Sequence, residues 1–231
     1  MRTSIKPLFA IVLLAAAGTA FGAGGGSMPS MGGGMSSGES SRASPEEQAI
    51  ISYNTGTQVI EKADDLLADA ARQTDTKKQK KENDKARSAY ASALKKFTKA
   101  TQLDPAMYQA WNYVGYCDRR LGNYEAALTA YDRALTLQPN YAEAIEYRGH
   151  AYLGLNRLGE AKQAYLTLFS SNRKLAAQLL TAMQAWVGDH RGNAVGVDGD
   201  SLAAFASWVN ERSTIASQTA SLTREGASAT W

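Results

Sequence analysis

The sequence is poor in the residues that build disulfide frameworks, metal sites and common catalytic centres. Its 231 residues include one cysteine, two histidines and five prolines. A single cysteine excludes an internal disulfide framework and a zinc site built from several thiolates. The two histidines, His150 and His190, lie outside any His-Glu-x-x-His or comparable metal-ligand spacing. We therefore predict a non-catalytic protein without a cofactor and without a metal centre of these residue types.

Strand-forming patterns are also missing from the sequence. No window alternates apolar and polar residues between turn residues, whereas several windows carry apolar residues at three- and four-residue spacings. The composition, 44% hydrophobic and 20% charged, is that of a folded protein. The chain is therefore predicted to be all-α over most of its length.

The first residues have the layout of a secretory signal peptide. Arg2 and Lys6 form a positive start, and residues 8–17 are apolar without interruption. This run is shorter than the roughly 20 residues that a membrane-spanning helix needs. We predict that residues 1–22 direct export and are removed, with the cleavage position left open and an uncleaved anchor as the alternative. Removal leaves 23 basic against 22 acidic residues, so no general affinity for nucleic acid is expected.

Residues 23–43 form a segment made almost entirely of glycine, serine and methionine. Such a composition cannot bury enough apolar surface to offset its ordering entropy, so it predicts a flexible tether. Met28, Met31 and Met35 account for half of the six methionines in the chain. Clustered thioethers bind copper(I), a soft ion, outside the cytoplasm. A copper-handling tether is therefore an alternative to a plain linker.

The helical part of the sequence runs from Ser44 to about Gln218 and carries helix-start signals. Ser44 is followed by a proline and by a glutamate three residues later, which is the spacing of a capping box. Asp104, again followed by a proline, and Asn140, three residues before a glutamate, are predicted to start two further helices.

Identical or similar residues recur at a spacing of 34 along the middle of the chain. Pro105 and Pro139 are 34 residues apart, and so are Gly115 and Gly149. The same spacing relates Ala93 to Ala127, Ala127 to Ala161, Phe97 to Tyr131, and Tyr131 to Tyr165. Self-similarity at this period indicates a stacked repeat, in which each helix pair buries its apolar face against the next pair.

These positions resemble the tetratricopeptide repeat family, whose pattern runs from Trp through Leu-Gly and Tyr to a later Ala, an aromatic residue and a closing Pro. Two complete repeats, 104–138 and 139–172, and a preceding half repeat supply the matching positions: Ala93, Phe97, Pro105, Trp111, Gly115, Ala127, Tyr131, Pro139, Ile145, Gly149, Tyr152, Ala161 and Tyr165. The chain departs from the pattern at Asp118, where Tyr is usual, and at Arg173, which replaces the next closing proline.

The resemblance implies an α-solenoid of antiparallel helix pairs, in which Tyr131 and Tyr165 fill the gap left by the following helix. Residues 44–103 are predicted to form an irregular first hairpin, because about 25 extra residues precede Ala93. Residues 173–218 are predicted to be capping helices, and 219–231 a frayed tail. The hairpin tip carries Lys77, Lys78, Lys80 and Lys81, which indicate either a solvated tip or a contact with an anionic surface.

The resemblance also implies that the first helix of each pair lines a groove that holds a peptide or helix of a partner protein. In this sequence the groove positions are Gln109, Asn112, Tyr116, Arg119, Glu143, Glu146 and His150. Their mixed signs differ from a purely cationic clamp and favour a polar, hydrogen-bonded segment. We therefore predict a non-catalytic exported adaptor in a cell-envelope assembly, periplasmic by preference and secreted as the second choice. The alternatives are a copper or small-ligand handling protein and a membrane-anchored scaffold.

Overall fold

The computed structural model describes residues 43–192 and 195–228, and within these ranges it contains eight α-helices. They are α1 (Pro45–Arg72), α2 (Thr76–Leu103), α3 (Tyr108–Leu121), α4 (Tyr124–Leu137), α5 (Ala142–Gly154), α6 (Leu158–Ser171), α7 (Arg173–His190) and α8 (Gly199–Ser228). The predicted signal peptide and the methionines of the tether lie outside the described residues, so export, cleavage and copper binding stay predictions. None of the described helices combines the length and apolarity needed to cross a membrane.

Successive helices pack in antiparallel pairs, α1 with α2, α3 with α4, and α5 with α6, followed by α7 and α8. The prediction of an all-α stack of helix pairs is confirmed for the described part of the chain. Helices α1 and α2 each have 28 residues, whereas α3 to α6 have 13 or 14. Fourteen additional residues extend a helix by roughly 21 Å. The first pair therefore forms an arm beyond the regular repeats, and every residue of its tip, 71–81, is exposed.

The predicted start of α1 is confirmed, whereas two other predicted helix starts are wrong. The Ser44 hydroxyl accepts a hydrogen bond from the Glu47 backbone at 3.1 Å, and the Glu47 carboxylate accepts one from the Ser44 backbone at 2.8 Å. Asp104 instead ends α2, and its carboxylate accepts from the Ala106 backbone in the following turn. Asn140 also precedes its helix without capping it, because α5 begins at Ala142. The prolines at these junctions lie in inter-repeat turns rather than at the first helical position.

Close packing of helix pairs explains the glycines of the repeat. A Cβ atom on Gly115 would lie 2.6 Å from the Tyr131 ring, and one on Gly56 would lie 2.7 Å from the Phe97 ring. Glycine at these sites therefore lets the aromatic ring of the second helix lie against the backbone of the first. At Gly149 a Cβ atom would instead meet Leu179 of α7 and Ala164 of α6, and no aromatic ring.

The remaining repeat positions lie at the contacts between helices. Ala93, Ala127 and Ala161 are fully buried, Ile145 is buried, and Trp111 is half-buried with its indole N–H donating to the Pro105 carbonyl at 3.0 Å. Tyr152 lies beneath the guanidinium groups of two arginines.

The C-terminal helices cover the end of the stack. Leu179 and Met183 of α7 and Phe205 and Val209 of α8 belong to the same buried cluster as the last repeat. Because the last repeat would otherwise expose an apolar face, these helices close the core. Helix α8 continues to Ser228, ten residues beyond the end that the sequence pattern indicates.

Candidate functional site

The seven predicted groove residues lie on the first helices of two consecutive pairs, α3 and α5. We refer to them together as the predicted groove. Three of them, Asn112, Tyr116 and Glu146, are buried, and Glu146 has only 2% of its surface exposed. The other four, Gln109, Arg119, Glu143 and His150, are half-buried and available to a ligand. The sequence pattern did not distinguish the accessible residues of this set from the buried ones.

Helices α3 and α5 are held side by side by aromatic contacts. The Tyr108 and Tyr141 rings meet edge to face with their centroids 4.9 Å apart, near the starts of the two helices. Further along, the Tyr116 and Tyr147 rings are 5.1 Å apart. Such pairs add about 0.5–1.5 kcal/mol each beyond the burial of their area. The two ring contacts therefore hold α3 against α5 both near the helix starts and further along the helices.

Arg119 is the central cation of the predicted groove. Its guanidinium carbon lies 5.2 Å from the Tyr116 ring centroid and 5.5 Å from that of Tyr147. Burial opposes its charged form, but the neighbouring Tyr131, Tyr116 and Glu146 outweigh that effect and raise the pKa of Arg119. Among the described residues, no carboxylate lies within ion-pair distance of this guanidinium.

Several polar atoms in and beneath the predicted groove have no hydrogen-bond partner in the described part of the chain. They are Asn112 Oδ1, Arg119 Nε and the hydroxyl oxygen of Tyr131, which lies next to Arg119. By contrast, Glu146 is paired, because its carboxylate lies 2.7 Å from His150 Nε2. Buried polar groups in native proteins are nearly always hydrogen-bonded, so unpaired ones call for a partner such as water or a ligand.

A partly buried polar network beside the predicted groove was not found from the sequence. The Asp64 carboxylate of α1 accepts a hydrogen bond from the Tyr90 hydroxyl of α2, and another from the Tyr116 hydroxyl of α3 at 3.0 Å. The Arg120 Nη2 atom donates to the Tyr90 hydroxyl at 2.8 Å and lies 3.5 Å from Asp64. The network therefore ties the first pair to the groove helix α3.

One signal for this network was present in the sequence. Asp64 follows Ile60 by four residues within the apolar stripe of α1, so it interrupts a face that otherwise turns inward. Burial, as the main cause, raises the pKa of Tyr90 and of Tyr116 well above the ordinary value, so both hydroxyls stay protonated and donate. The adjacent Cys117 is fully buried, and burial raises the pKa of its thiol, which makes it an inert packing residue.

The four lysines at the arm tip are all exposed, in agreement with the solvated face that the sequence suggested. Within the described residues, none of Lys77, Lys78, Lys80 and Lys81 forms an ion pair, while the nearby Lys85 pairs with Glu82 at 2.8 Å. Their charges are therefore not neutralised by direct contacts. The described residues also contain no group of three His, Cys, Asp or Glu side chains that could hold a metal ion.

Comparison with known protein families identifies the repeat. Residues 78–142 match one tetratricopeptide repeat family model, and residues 142–175 match a second. The matched segments include α2 to α6 from Lys78 onward, with the aromatic, glycine and alanine contacts described above.

Solved structures similar to this chain include three with a low overall superposition score. The first TPR of Spaghetti (RPAP3), bound to an HSP90 peptide, is 20% identical, with 61% of this chain and 94% of that chain covered and a TM-score of 0.46. The second TPR domain of human RPAP3, in complex with an HSP70 peptide, is 22% identical, with coverages of 59% and 95% and a TM-score of 0.45. MamA is 17% identical, with coverages of 74% and 96% and a TM-score of 0.39.

The matched segments adjoin at residue 142 and together extend from residue 78 to residue 175. They coincide with the part of the chain in which residues recur at a spacing of 34 and short helices pack in antiparallel pairs. The central segment of the chain, residues 78–175, is therefore similar to tetratricopeptide repeats.

Proposed function

We propose that the protein is a non-catalytic adaptor that binds a peptide or a helix of a partner protein in the predicted groove. The observation that carries this proposal is the state of Arg119: its guanidinium lies against two tyrosine rings, and among the described residues no carboxylate lies within ion-pair distance of it. An arginine held in this way is pre-organised to donate to carbonyl or carboxylate oxygens, since little of its side-chain entropy remains to be lost.

The accessible groups of the predicted groove favour a polar segment with both donors and acceptors. Gln109 and Arg119 offer donors on α3, whereas Glu143 on α5 offers a carboxylate. A ligand that is only acidic would meet repulsion from Glu143, and one that is only basic would meet repulsion from Arg119. We therefore expect the partner to present backbone amides together with side chains of both signs.

Site-specific photo-crosslinking in cells tests this proposal. A photo-crosslinking amino acid is placed at Gln109 in the groove or, as the matched control, at Arg133, which is exposed on the second helix α4. We expect partner adducts from position 109 that fall about tenfold or more with Arg119→Gln, because a charge-assisted hydrogen bond is lost. Adducts that are equal from both positions, or unaffected by Arg119→Gln in a variant that unfolds normally in urea, would contradict groove binding.

We further propose that the adaptor acts outside the cytoplasm, in the periplasm. This proposal rests on the positive start and the uninterrupted apolar run before residue 18. Cell fractionation followed by intact-mass analysis tests it. We expect a periplasmic protein that lacks about the first 22 residues, whereas a version without residues 2–22 stays in the cytoplasm. Recovery of the full-length mass from the membrane fraction would favour the anchored scaffold instead.

A second candidate function, favoured by the four unpaired lysines at the arm tip, is contact with an anionic surface. The tip lies at the end of helices that are twice as long as those of the repeats, and all its residues are exposed to a surface that approaches it. Each lysine near an anionic bilayer contributes about fivefold to binding at low salt. Sedimentation with phosphatidylglycerol vesicles is expected to fall several hundred-fold in the variant with Lys77, Lys78, Lys80 and Lys81 changed to Gln.

The matched control changes three exposed lysines on the same helix, Lys95, Lys96 and Lys99, to Gln. Vesicle binding that depends on the tip is expected to survive in this control and to weaken as the ionic strength rises. Equal losses in both variants, or binding to neutral phosphatidylcholine vesicles, would contradict a role for the tip.

A further inference from the structure

The turn between α5 and α6 lies against the loop between α7 and α8. Asn156 in the turn donates a hydrogen bond from its side-chain amide to the Val195 carbonyl in the loop at 3.2 Å. Asn156 has a positive φ of 57°, and Gly196 in the loop has a φ of 78°. A Cβ atom on Gly196 would lie 2.9 Å from Asn156 Nδ2, so glycine at this position lets the loop approach the turn.

The turn and the loop border a cavity of about 330 Å³ that opens to solvent. Part of its lining is apolar and comes from three different segments. Leu158 begins α6, Val197 lies in the loop, and Phe205 is a buried residue of α8. Ligand sites in proteins have volumes of about 300–1,000 Å³, so this cavity has room for a small molecule.

Lys162 of α6 brings a positive charge to the cavity. Its Nζ atom lies 5.5 Å from the centroid of the Phe205 ring and 5.4 Å from that of the Trp208 ring. The Phe205 ring is itself part of the cavity lining, so the ammonium group lies beside the apolar part of the cavity. Among the described residues, no carboxylate lies within ion-pair distance of Lys162.

Asp198, in the loop before α8, brings a negative charge to the same cavity. Its Oδ1 atom accepts a hydrogen bond from the Ser201 backbone N–H at 2.8 Å, which caps α8. This hydrogen bond, as the main cause, lowers the pKa of Asp198, so its carboxyl group is ionised at neutral pH. In the described part of the chain it has no ion-pair partner. The cavity therefore carries one unpaired charge of each sign.

We propose that this cavity binds a small zwitterion, an α-amino acid with an apolar side chain. Lys162 binds the carboxylate of the ligand, and Asp198 binds its ammonium group. The apolar side chain packs against Leu158, Val197 and Phe205. A ligand with only one charge would meet repulsion from the like charge of the lining, whereas a zwitterion satisfies both. The site lies on α6, α8 and the loop before α8, so it is independent of the predicted groove on α3 and α5.

Calorimetric titration of the full chain with free leucine at low ionic strength tests the site. Two analogues of leucine each lack one charge: isocaproate has no ammonium group, and isoamylamine has no carboxylate. We expect saturable binding of leucine and at least about tenfold weaker binding of either analogue, because a charge-assisted hydrogen bond is lost. No saturable binding of leucine, or equal binding of leucine and either analogue, would overturn the proposal.

Two variants each remove one charge from the cavity. Lys162→Gln and Asp198→Asn are each expected to weaken leucine binding about tenfold or more. Asparagine caps helices as well as aspartate, so the start of α8 is kept in Asp198→Asn. The control Lys174→Gln, which removes an exposed cation of α7 outside the cavity, should leave leucine binding unchanged.

The same variants separate direct binding from a structural role. Asp198→Asn should no longer discriminate against isocaproate, because the carboxylate that faces the ligand's ammonium group is gone. Lys162→Gln should likewise bind leucine and isoamylamine equally. A variant that merely disturbed the cavity would weaken leucine and both analogues alike, and that result, or an equal loss in Lys174→Gln, would contradict the assigned roles.

Discussion

Replacing Gly115 with alanine tests the packing that supports the predicted groove. The added Cβ atom would lie 2.6, 2.7 and 2.9 Å from three atoms of the Tyr131 ring. Ordinary carbon contacts lie at about 3.5–4.0 Å, so the ring must move by roughly 1 Å. Tyr131 is fully buried and its hydroxyl lies next to Arg119, so a shift of the ring also disturbs the groove.

The expected cost follows from two opposing terms. Overpacking of a buried site costs about 1–3 kcal/mol, while alanine in place of glycine inside a helix gains up to about 1 kcal/mol. We expect the free energy of unfolding of Gly115→Ala to fall by about 1–2 kcal/mol. The matched control is Gly159→Ala in α6, where a Cβ would meet nothing within 4 Å. This control should be unchanged or stabilised by about 0.5 kcal/mol.

Urea unfolding monitored by circular dichroism measures both variants. A double-mutant cycle then assigns the cost to the ring: in a Tyr131→Leu background, which removes the Cε1 and Cζ atoms, Gly115→Ala should cost less than in the wild-type protein. If Gly115→Ala is as stable as Gly159→Ala, the contact between ring and backbone does not determine the residue at this position. The same cost in both backgrounds would point to a cause other than Tyr131.

Three further perturbations follow from the described contacts. Asp64→Asn removes the charge that two buried tyrosines and an arginine share, so the free energy of unfolding should fall by about 2–4 kcal/mol, against less than about 0.5 kcal/mol for the exposed Asp65→Asn. Burial raises the pKa of Tyr53 to about 12, so the stabilisation that its neutral hydroxyl gives the folded state is complete below pH 10. The free energy of unfolding should therefore decrease by about 3 kcal/mol as the pH rises from 10 to 12. Urea unfolding measured at stepped pH would contradict this if the free energy of unfolding stayed constant. Ser44→Ala should cost about 1 kcal/mol because α1 loses its cap, whereas Ser88→Ala, exposed within α2, should cost nothing in the same urea assay.

The repeat itself was predictable from the sequence because its contacts are local and periodic. Gly115 and Tyr131 are 16 residues apart, and the same close packing joins Gly56 to Phe97 across the longer first hairpin. Helix starts were less predictable, because a residue before proline suits a turn as well as a cap. Asp104 therefore ends one helix and begins a turn instead of starting the next helix.

Contacts across the stack could not be derived from the repeat pattern. Tyr165 occupies the same repeat position as Tyr131, yet its ring meets Trp208 of α8, 43 residues further along the chain. A Cβ atom on Gly149 would meet Leu179 of α7 and not Tyr165. The pattern describes one repeat and its neighbour, whereas α8 lies beyond the array and follows no such rule.

The residues of the predicted groove lie on α3 and α5, but the burial of its members depends on distant residues. Tyr116 occupies a groove position by periodicity, yet it is buried, and its hydroxyl donates to Asp64 of α1, 52 residues earlier in the chain. The extended length of α1 is what brings Asp64 to this level of the stack. The extra residues of the first hairpin, which the sequence shows only as an irregularity, therefore supply a hydrogen-bond partner for Tyr116 in the next repeat.

The arm and the predicted groove are coupled through Tyr116. Its hydroxyl donates to Asp64 at the base of the arm, and its ring supports the Arg119 guanidinium from below. Displacement of α1 would shift this ring and with it the orientation of the one unpaired cation in the groove. Asp64→Asn should therefore reduce the partner adducts from position 109 as well as the stability, whereas Asp65→Asn should change neither. A loss of stability with unchanged adducts would show that Arg119 keeps its orientation without this support.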